Sequence, residues 1–325
     1  MIVSDQIKLE RGAEVLTLKD VSKKYGSVTA VEEINFSLEK GEVVGLLGAN
    51  GAGKTTTMNM TTGYFPPTTG TISLSGRNVM QEPLEYKRNI GYLPENPPLY
   101  LEMTVREQLR FVCSARGIPR NEWKGEIDRV CGLSNILDVQ HRIIRTMSKG
   151  YKQRIGISQA LIGEPSLLVL DEPTSGLDPQ QIIEIRELIE KLKRDHTVMI
   201  SSHILSEVAS VSTRIVILHK GRIVADQPVG DLLLSSEETP VLRLRVHGDA
   251  DAVENLISDI PGVEQVEVGE SPEQGCWDYD IHLAEGLDIR RELSGLLAQH
   301  SYSIMAMTMK SKTLEDVFIE LIKRG

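Results

Sequence analysis

Apolar and polar positions along the chain follow two different rhythms. Val15–Val21, Ala30–Leu38 and Gly70–Leu74 read as short strands, separated by turn signals at Lys40-Gly41 and Pro66-Pro67-Thr68-Thr69-Gly70. Val43–Leu47, Leu167–Leu170 and Thr197–Ile200 are instead continuous apolar runs, which suits parallel strands covered on both faces. Between Gln181 and Leu192, apolar Ile182, Ile185, Leu188, Ile189 and Leu192 recur at helical spacing. Glu187/Lys191 and Glu190/Arg194 form i,i+4 pairs on the other side. That is a surface helix feeding the Thr197 strand, so the core is α/β.

From about Met103 to Arg145 the pattern is helical and stands apart from the strands, with breaks at Gly117-Ile118-Pro119 and Gly132. It reads as a helical insert within about residues 100–160. A second cycle begins at Val241: strand Val241–Val246, helix Asp249–Ser258, strands Gly262–Val268 and Trp277–Leu283, helix Ile289–His300, strand Ser303–Met309. The order βαββαβ fits a small split-βαβ sandwich. A last helix follows, with Thr313 as cap, Glu315 and Asp316 in its first turn, and an apolar face of Leu314, Val317, Phe318, Leu321 and Ile322. The boundary falls in Ser235–Pro240. The chain therefore reads as a domain over 14–236 and an α+β domain over 241–325.

Composition narrows the class. Of 325 residues, 40% are hydrophobic and 25% charged, which excludes a disordered or fibrous chain. Apolar stretches span only a few residues, where a membrane helix needs roughly 18 or more. Met1–Glu14 carries Asp5, Lys8, Glu10 and Arg11 and lacks the apolar core of a signal peptide. Cys113, Cys131 and Cys276 are odd in number and widely spaced; they suggest buried thiols in a reducing cytosol. The net charge of −10 is uneven: residues 241–325 hold 16 acidic and 8 basic residues, an excess that repels nucleic acid and anionic lipid.

Gly48-Ala49-Asn50-Gly51-Ala52-Gly53-Lys54-Thr55, followed by Thr56, matches G-x-x-x-x-G-K-[ST] and follows the Val43–Leu47 strand. Such glycines let backbone amides turn inward around a polyphosphate, Lys54 reaches the β and γ phosphates, and the Thr55 hydroxyl binds Mg²⁺. The run is too specific for an ordinary glycine turn. Asp171 and Glu172 close the Leu167–Leu170 strand. Alone, a strand ending in Asp-Glu is as easily a polar loop start; after a phosphate loop, Asp171 reads as an Mg²⁺ holder and Glu172 as the general base. Ser148-Lys149-Gly150-Tyr151 opens a helix with Ser148 at the N-cap, an anion site or simply a capped helix. His203 follows the Thr197–Ser201 strand, where doubly wound sheets place ligand contacts.

Taken in order, the phosphate loop, the Ser148-x-Gly150 helix start, Asp171-Glu172, Ser175-Gly176-Leu177-Asp178 and Ser201-Ser202-His203 resemble the ATP-binding subunit of an ABC transporter over roughly residues 14–230. Met147–Arg154 and Leu314-Glu315-Asp316-Val317-Phe318 are similar to the exporter branch that pairs with ABC-2 permeases, including the gliding-motility group. The resemblance implies a P-loop NTPase core with an antiparallel β subdomain, a parallel sheet and a helical insert. It implies that Tyr25 stacks on adenine, and that Ser148, Lys149, Gly150 and Tyr151 contact ATP held by a second copy of the chain. His203 would contact the γ-phosphate, and Asp178 would link the two sites. A separate integral-membrane permease would dock on the insert, with the chain peripheral on the cytoplasmic face of the membrane. Two positions depart from the family pattern. Glu95 stands where a glutamine is usual and becomes a third candidate Mg²⁺ ligand. Lys149 replaces the first glycine of the signature.

The leading expectation is an ATPase motor of a membrane exporter, using ATP and Mg²⁺ and dimerising around two ATP. The alternative is a soluble ABC ATPase acting on ribosomes or nucleic acid. Those usually carry two nucleotide domains or a long coiled-coil insertion, neither of which this sequence shows, and the acidic C-terminal region argues against a nucleic-acid partner. A GTPase would need a guanine-reading Asn/Thr-Lys-x-Asp motif, which is absent. Met305, Met307 and Met309 alternate as a copper-binding stripe would, but a strand face packed on helices explains them better.

Overall fold

The computed structural model describes residues 14–232, 241–284, 287–310 and 317–318. The chain folds as two compact units, one up to Val229 and a second from Gly230 to Arg324. The sequence boundary at Ser235–Pro240 and nearly all of the expected last helix lie outside the described residues.

The first unit begins with β1 (Glu14–Tyr25) and β2 (Val28–Glu39), longer than the periodicity suggests because the register shifts at bulges after Leu18 and Val21 keep apolar positions inward. β4 (Thr69–Leu74) and β5 (Arg77–Asn78) complete an antiparallel sheet of order β2-β1-β4-β5. The main sheet holds β3 (Val43–Leu47), β6 (Ile90–Leu93), β7 (Leu167–Asp171), β8 (Thr197–Ser202), β9 (Arg214–His219) and β10 (Arg222–Pro228) in the order β10-β9-β3-β8-β7-β6. All of its pairs are parallel except β9 with β10. Every residue of β3, β7 and β8 is buried, which is why these strands read as unbroken apolar runs.

Helix α1 (Lys54–Thr61) follows β3, and α2 (Pro83–Arg88) precedes β6. The insert contains α3 (Val105–Ala115), α4 (Trp123–Leu133) and α5 (Lys149–Leu161). Thr104 and Glu107 close a capping box on α3, and Gly117-Ile118-Pro119 ends it as expected. After β7 comes α6 (Pro179–Leu192), whose Ile185, Leu188, Ile189 and Leu192 are buried. Its Glu190 pairs with Lys193 rather than with Arg194. A short α7 (Leu205–Ala209) follows β8.

The second unit contains β11 (Val241–His247), α8 (Ala250–Ser258), β12 (Val263–Glu270), β13 (Cys276–Leu283), α9 (Arg290–Gln299) and β14 (Ser303–Lys310). The antiparallel order β12-β13-β11-β14 is the split βαβ arrangement, with β13 between β11 and β12. Leu242, Leu244, Val246, Tyr279, Ile281 and Leu283 pack against Val253, Ile257, Leu293 and Leu297 of the helices. The opposite face is an ion-pair ladder, Arg243 with Asp280 and Arg245 with Asp278 and Glu273. Met307 and Met309 pack on this core, whereas a register shift between Arg245 and Val246 turns Met305 outward, 54% exposed. The three methionines thus do not share one face.

Candidate functional site

The loop after β3 turns through Gly51 (φ 82°) and Gly53 (φ 108°), a left-handed geometry that side chains resist. Gly53 is the N-cap of α1 and offers no side-chain cap, so the first-turn amides are left for an anion. Lys54 is buried although charged: its ammonium donates to the Gly48 carbonyl at 2.6 Å and lies 3.7 Å from Glu172 Oε1. The Thr55 hydroxyl hydrogen-bonds the Asp171 carboxylate.

Strands β7 and β8 run parallel with Asp171 opposite Ser201. Asp171 is 2% exposed, and burial raises its pKa. The hydrogen bonds from Ser201 and Thr55 oppose that rise, and the charge of Glu95 adds to it. Glu172, one residue on, has φ 47°, an uncommon backbone for a residue with a side chain. Its N–H donates to Ser201 Oγ at 2.9 Å and its Oε2 lies 2.9 Å from His203 Nδ1. A carboxylate only accepts, so Nδ1 carries the proton and Nε2 of the half-exposed imidazole faces away from it. Thr174 donates to Glu207 at 2.6 Å, pinning the loop beyond.

These groups border one cleft of about 650 Å³. Ala49, Asn50, Gly51, Gly53, Lys54, Thr55 and Thr56 line one wall, and Glu95, Glu172, Ser175 and His203 face them. Gly48 and Asp171 stand outside the lining but hold it, Gly48 through the Lys54 bond and Asp171 through the Thr55 bond, and Ala52 is buried and does not line the cleft. Tyr25 stands outside this lining, 48% exposed and edge-on to Phe65 at 6.0 Å, with Lys23 over both rings. Residue type alone gives Ser175 no role and does not reveal Ala30, a β2 residue that also lines the cleft. Ala30 is identified by its backbone oxygen, which a Cβ on Gly53 would approach to 2.8 Å. No side-chain pattern announces it.

The signature residues do not line this cleft. Ser148 caps α5 by accepting the Tyr151 N–H at 3.3 Å, and no acid occupies the first turn. A Cβ on Gly150 would meet Gln181 of α6 at 2.7 Å, so its smallness serves a contact within the chain. Lys149 reaches Gly176, whose added Cβ would lie 2.4 Å from the Lys149 amine. Asp178 caps α6 through the Gln181 N–H at 2.9 Å. The start of α5 is thus packed on the segment that follows the Asp171-Glu172 pair.

Residues 31–175 match the family model described as ABC transporter. The chain is 34% identical over 319 residues to the bacitracin transport ATP-binding protein BcrA of Bacillus licheniformis, covering 96% of this chain and 98% of that protein. That span necessarily includes most of the second unit. The lantibiotic transport ATP-binding protein SrtF of Streptococcus pyogenes is 39% identical over 214 residues, 66% of this chain and 90% of its own length. A solved ATP-binding subunit of an ABC transporter superposes with a TM-score of 0.62 at 33% identity, over 68% of this chain and 92% of that one. The chain belongs to the ABC transporter ATP-binding proteins, a family of ATPases.

Proposed function

We propose that this chain is the ATP-hydrolysing motor of an ABC exporter, in which two copies enclose two ATP and drive a separate membrane permease. The observation that carries the reading is the meeting of Lys54, Glu172 and His203 in one cleft beside buried Asp171. The triphosphate lies along Ala49–Thr56, with the α1 amides and Lys54 taking its negative charge and Tyr25 against the adenine. Glu172 accepts a proton from the attacking water, and His203 holds Glu172 through Nδ1–H; with both ring nitrogens protonated, its Nε2–H donates to the γ-phosphate.

Thr55 and Asp171 suit Mg²⁺. They are hard oxygen donors already joined to each other, and this ion keeps most of its ligands as water and phosphate oxygens. Glu95 adds a second carboxylate, near enough for its charge to raise the Asp171 pKa. When bound, Mg²⁺ neutralises developing charge on the β and γ phosphates.

Ser148, Lys149, Gly150 and Tyr151 complete the site of a second copy, with Asp178 beside them. Support comes from the start of α5, whose serine cap and acid-free first turn suit an anion. Exposed Tyr100, Leu101 and Phe111 on the insert offer an apolar seat for the permease. Among the described residues no helix is long and apolar enough to cross a membrane, which fits a subunit held at the inner face by that partner. Export is supported by the relatives named for bacitracin and lantibiotic transport; the ribosomal or nucleic-acid alternative has no counterpart among them.

The test is the mass of the Glu172→Gln chain with ATP and Mg²⁺ on size exclusion with light scattering. The expected mass is about twice 36.1 kDa with one ATP per chain, and Ser148→Arg in the same background should return monomers that still bind ATP. A monomer with ATP bound in the Glu172→Gln chain itself would overturn the shared site.

A further inference from the structure

We propose that Ser201 is the positioning residue that locks the general base to the metal-holding carboxylate through a single shared oxygen. The assignment rests on the roles given above to Asp171 and Glu172 and adds a residue to them.

Ser201 is completely buried at the end of β8, directly opposite Asp171 in the parallel register. Its hydroxyl has two partners that leave it no choice of direction. The Glu172 N–H is only a donor, so Oγ accepts from it at 2.9 Å. The Asp171 carboxylate is only an acceptor, so the one hydroxyl proton goes to its Oδ1 at 2.5 Å, a charge-assisted bond. One oxygen therefore fixes the carboxylate of one residue and the backbone of the next. Neither of the two residues that follow supplies this link: the Ser202 hydroxyl accepts the Ile204 N–H, and His203 touches only the far end of the Glu172 side chain.

The backbone of Glu172 shows why the link matters. With φ at 47° it lies in the left-handed region, which persists only where the surroundings over-determine it. Two bonds hold it: Oγ of Ser201 on its N–H, and the Ser175 N–H on its carbonyl at 3.1 Å. The second is a turn inside the same loop and moves with it. Ser201 is the anchor to the rigid sheet. Without it the partly buried Glu172 N–H is left unpaired, and relaxation toward an ordinary φ swings the carboxylate away from Lys54 and His203. The same loss removes a hydrogen bond that holds Asp171 Oδ1, so the base and the metal-holding oxygen drift together.

The test compares the full chain with Ser201→Ala and with Ser201→Cys, whose slightly larger thiol fills the site and weakens both hydrogen bonds. ATP affinity is measured by calorimetry, turnover by phosphate release as a function of Mg²⁺, and amide exchange over residues 171–175 without nucleotide. In both variants ATP affinity should stay within about twofold, since Lys54 and the loop amides are intact. Turnover should fall about 10–100-fold, the scale of a sub-ångström to 1 Å misplacement of a reacting group. The Mg²⁺ concentration for half-maximal rate should rise severalfold, and the Glu172 amide should exchange faster. In a Glu172→Gln background Ser201→Ala should cost little further turnover, because the base carboxylate it positions is gone, while the Mg²⁺ midpoint should still rise, because Asp171 still loses its bond.

Parental turnover and an unchanged Mg²⁺ midpoint in Ser201→Cys would overturn the proposal. So would equal losses of ATP affinity and turnover, which mark simple misfolding of the sheet end. Should Ser201→Ala fail to fold, Ser201→Cys alone decides by the same criteria. Glu172→Gln turning over at the parental rate would remove the base assignment and this one with it. Glu172→Gln inactive beside fully active Ser201 variants would remove this one alone.

Discussion

Replacing Lys54 with alanine tests the site from two sides, because its ammonium serves the empty fold as well as the nucleotide. Its side chain is 7% exposed, and that of Glu172 is 12% exposed, 3.7 Å away. At the effective dielectric of such positions, opposite charges at this distance attract by about 4 kcal/mol, much of which is offset by the desolvation of both groups. A net coupling of about 1–3 kcal/mol remains. Lys54→Ala also leaves the Gly48 carbonyl without its 2.6 Å donor, a further cost of about 1 kcal/mol. The nucleotide-free variant should therefore be about 2–4 kcal/mol less stable. For a unit of this size that is a fall in Tm of about 4–16 °C. Adding Glu172→Gln removes the orphaned charge, so the double variant should recover about 1–2 kcal/mol over Lys54→Ala alone.

The ATP side is larger. A desolvated cation–phosphate contact is worth about 2–5 kcal/mol when one partner is truncated, so affinity should fall at least about 30-fold. Calorimetric titration with ATP and scanning calorimetry of the nucleotide-free proteins give both numbers. Undiminished ATP affinity would refute the phosphate-loop assignment. A double variant less stable than Lys54→Ala would refute the pairing of Lys54 with Glu172.

Three further outcomes follow from the same geometry. Glu172→Gln should lower kcat by about 10²–10⁴-fold with ATP affinity within severalfold, read by phosphate release and calorimetry; parental turnover places the base elsewhere. Asp171→Asn should abolish Mg²⁺-dependent turnover yet stabilise the nucleotide-free fold at pH 7. Burial raises the Asp171 pKa, so its contribution to stability is present at low pH and lost as pH rises through the raised value; melting curves should show the variant's advantage shrinking as pH falls. Ser75 (φ 48°) and Gly76 (φ 79°) form the two-residue turn between β4 and β5, where Asn-Gly is preferred. Ser75→Asn should add about 0.5 kcal/mol in chemical denaturation with ATP turnover unchanged.

What the sequence reveals follows from which forces leave a local trace. Full burial of β3, β7 and β8 writes itself as unbroken apolar runs, and the left-handed turns at Gly51 and Gly53 write themselves as glycines. The hairpin of β9 and β10 leaves a weaker mark: β9 is an apolar run without a motif beside it, β10 is half exposed, and the turn residues are Lys220-Gly221, so neither strand is apparent beforehand. Met305 fails for a related reason, since strict alternation holds only while the register does, and a shift opposite Arg245 and Val246 breaks it. Among site residues, those with a charged or glycine fingerprint are legible. Ala30 acts through its backbone, and Thr174 with Glu207 through a loop tether, so residue type gives no notice of either. Gly150 is legible as a close approach, but the partner the structure shows is Gln181 of the same chain.

The site is expensive for the fold in three places at once: a buried ammonium at Lys54, a buried carboxylate at Asp171, and a left-handed backbone at Glu172. None would persist on free loops. They persist because the order β3-β8-β7 puts three distant segments side by side and the parallel register brings them level, Leu47 beside Ser202 and Asp171 beside Ser201. Each strand is fully buried up to that level, so apolar packing on both faces fixes the ends that carry charge. The unfavourable groups then satisfy one another: Lys54 with Glu172, Glu172 with Ser201 and His203, Ser201 and Thr55 with Asp171. A network closed in this way loses more than one bond when any member is removed. Single substitutions here should therefore be strongly non-additive, and the double variants, not the single ones, carry the information about mechanism.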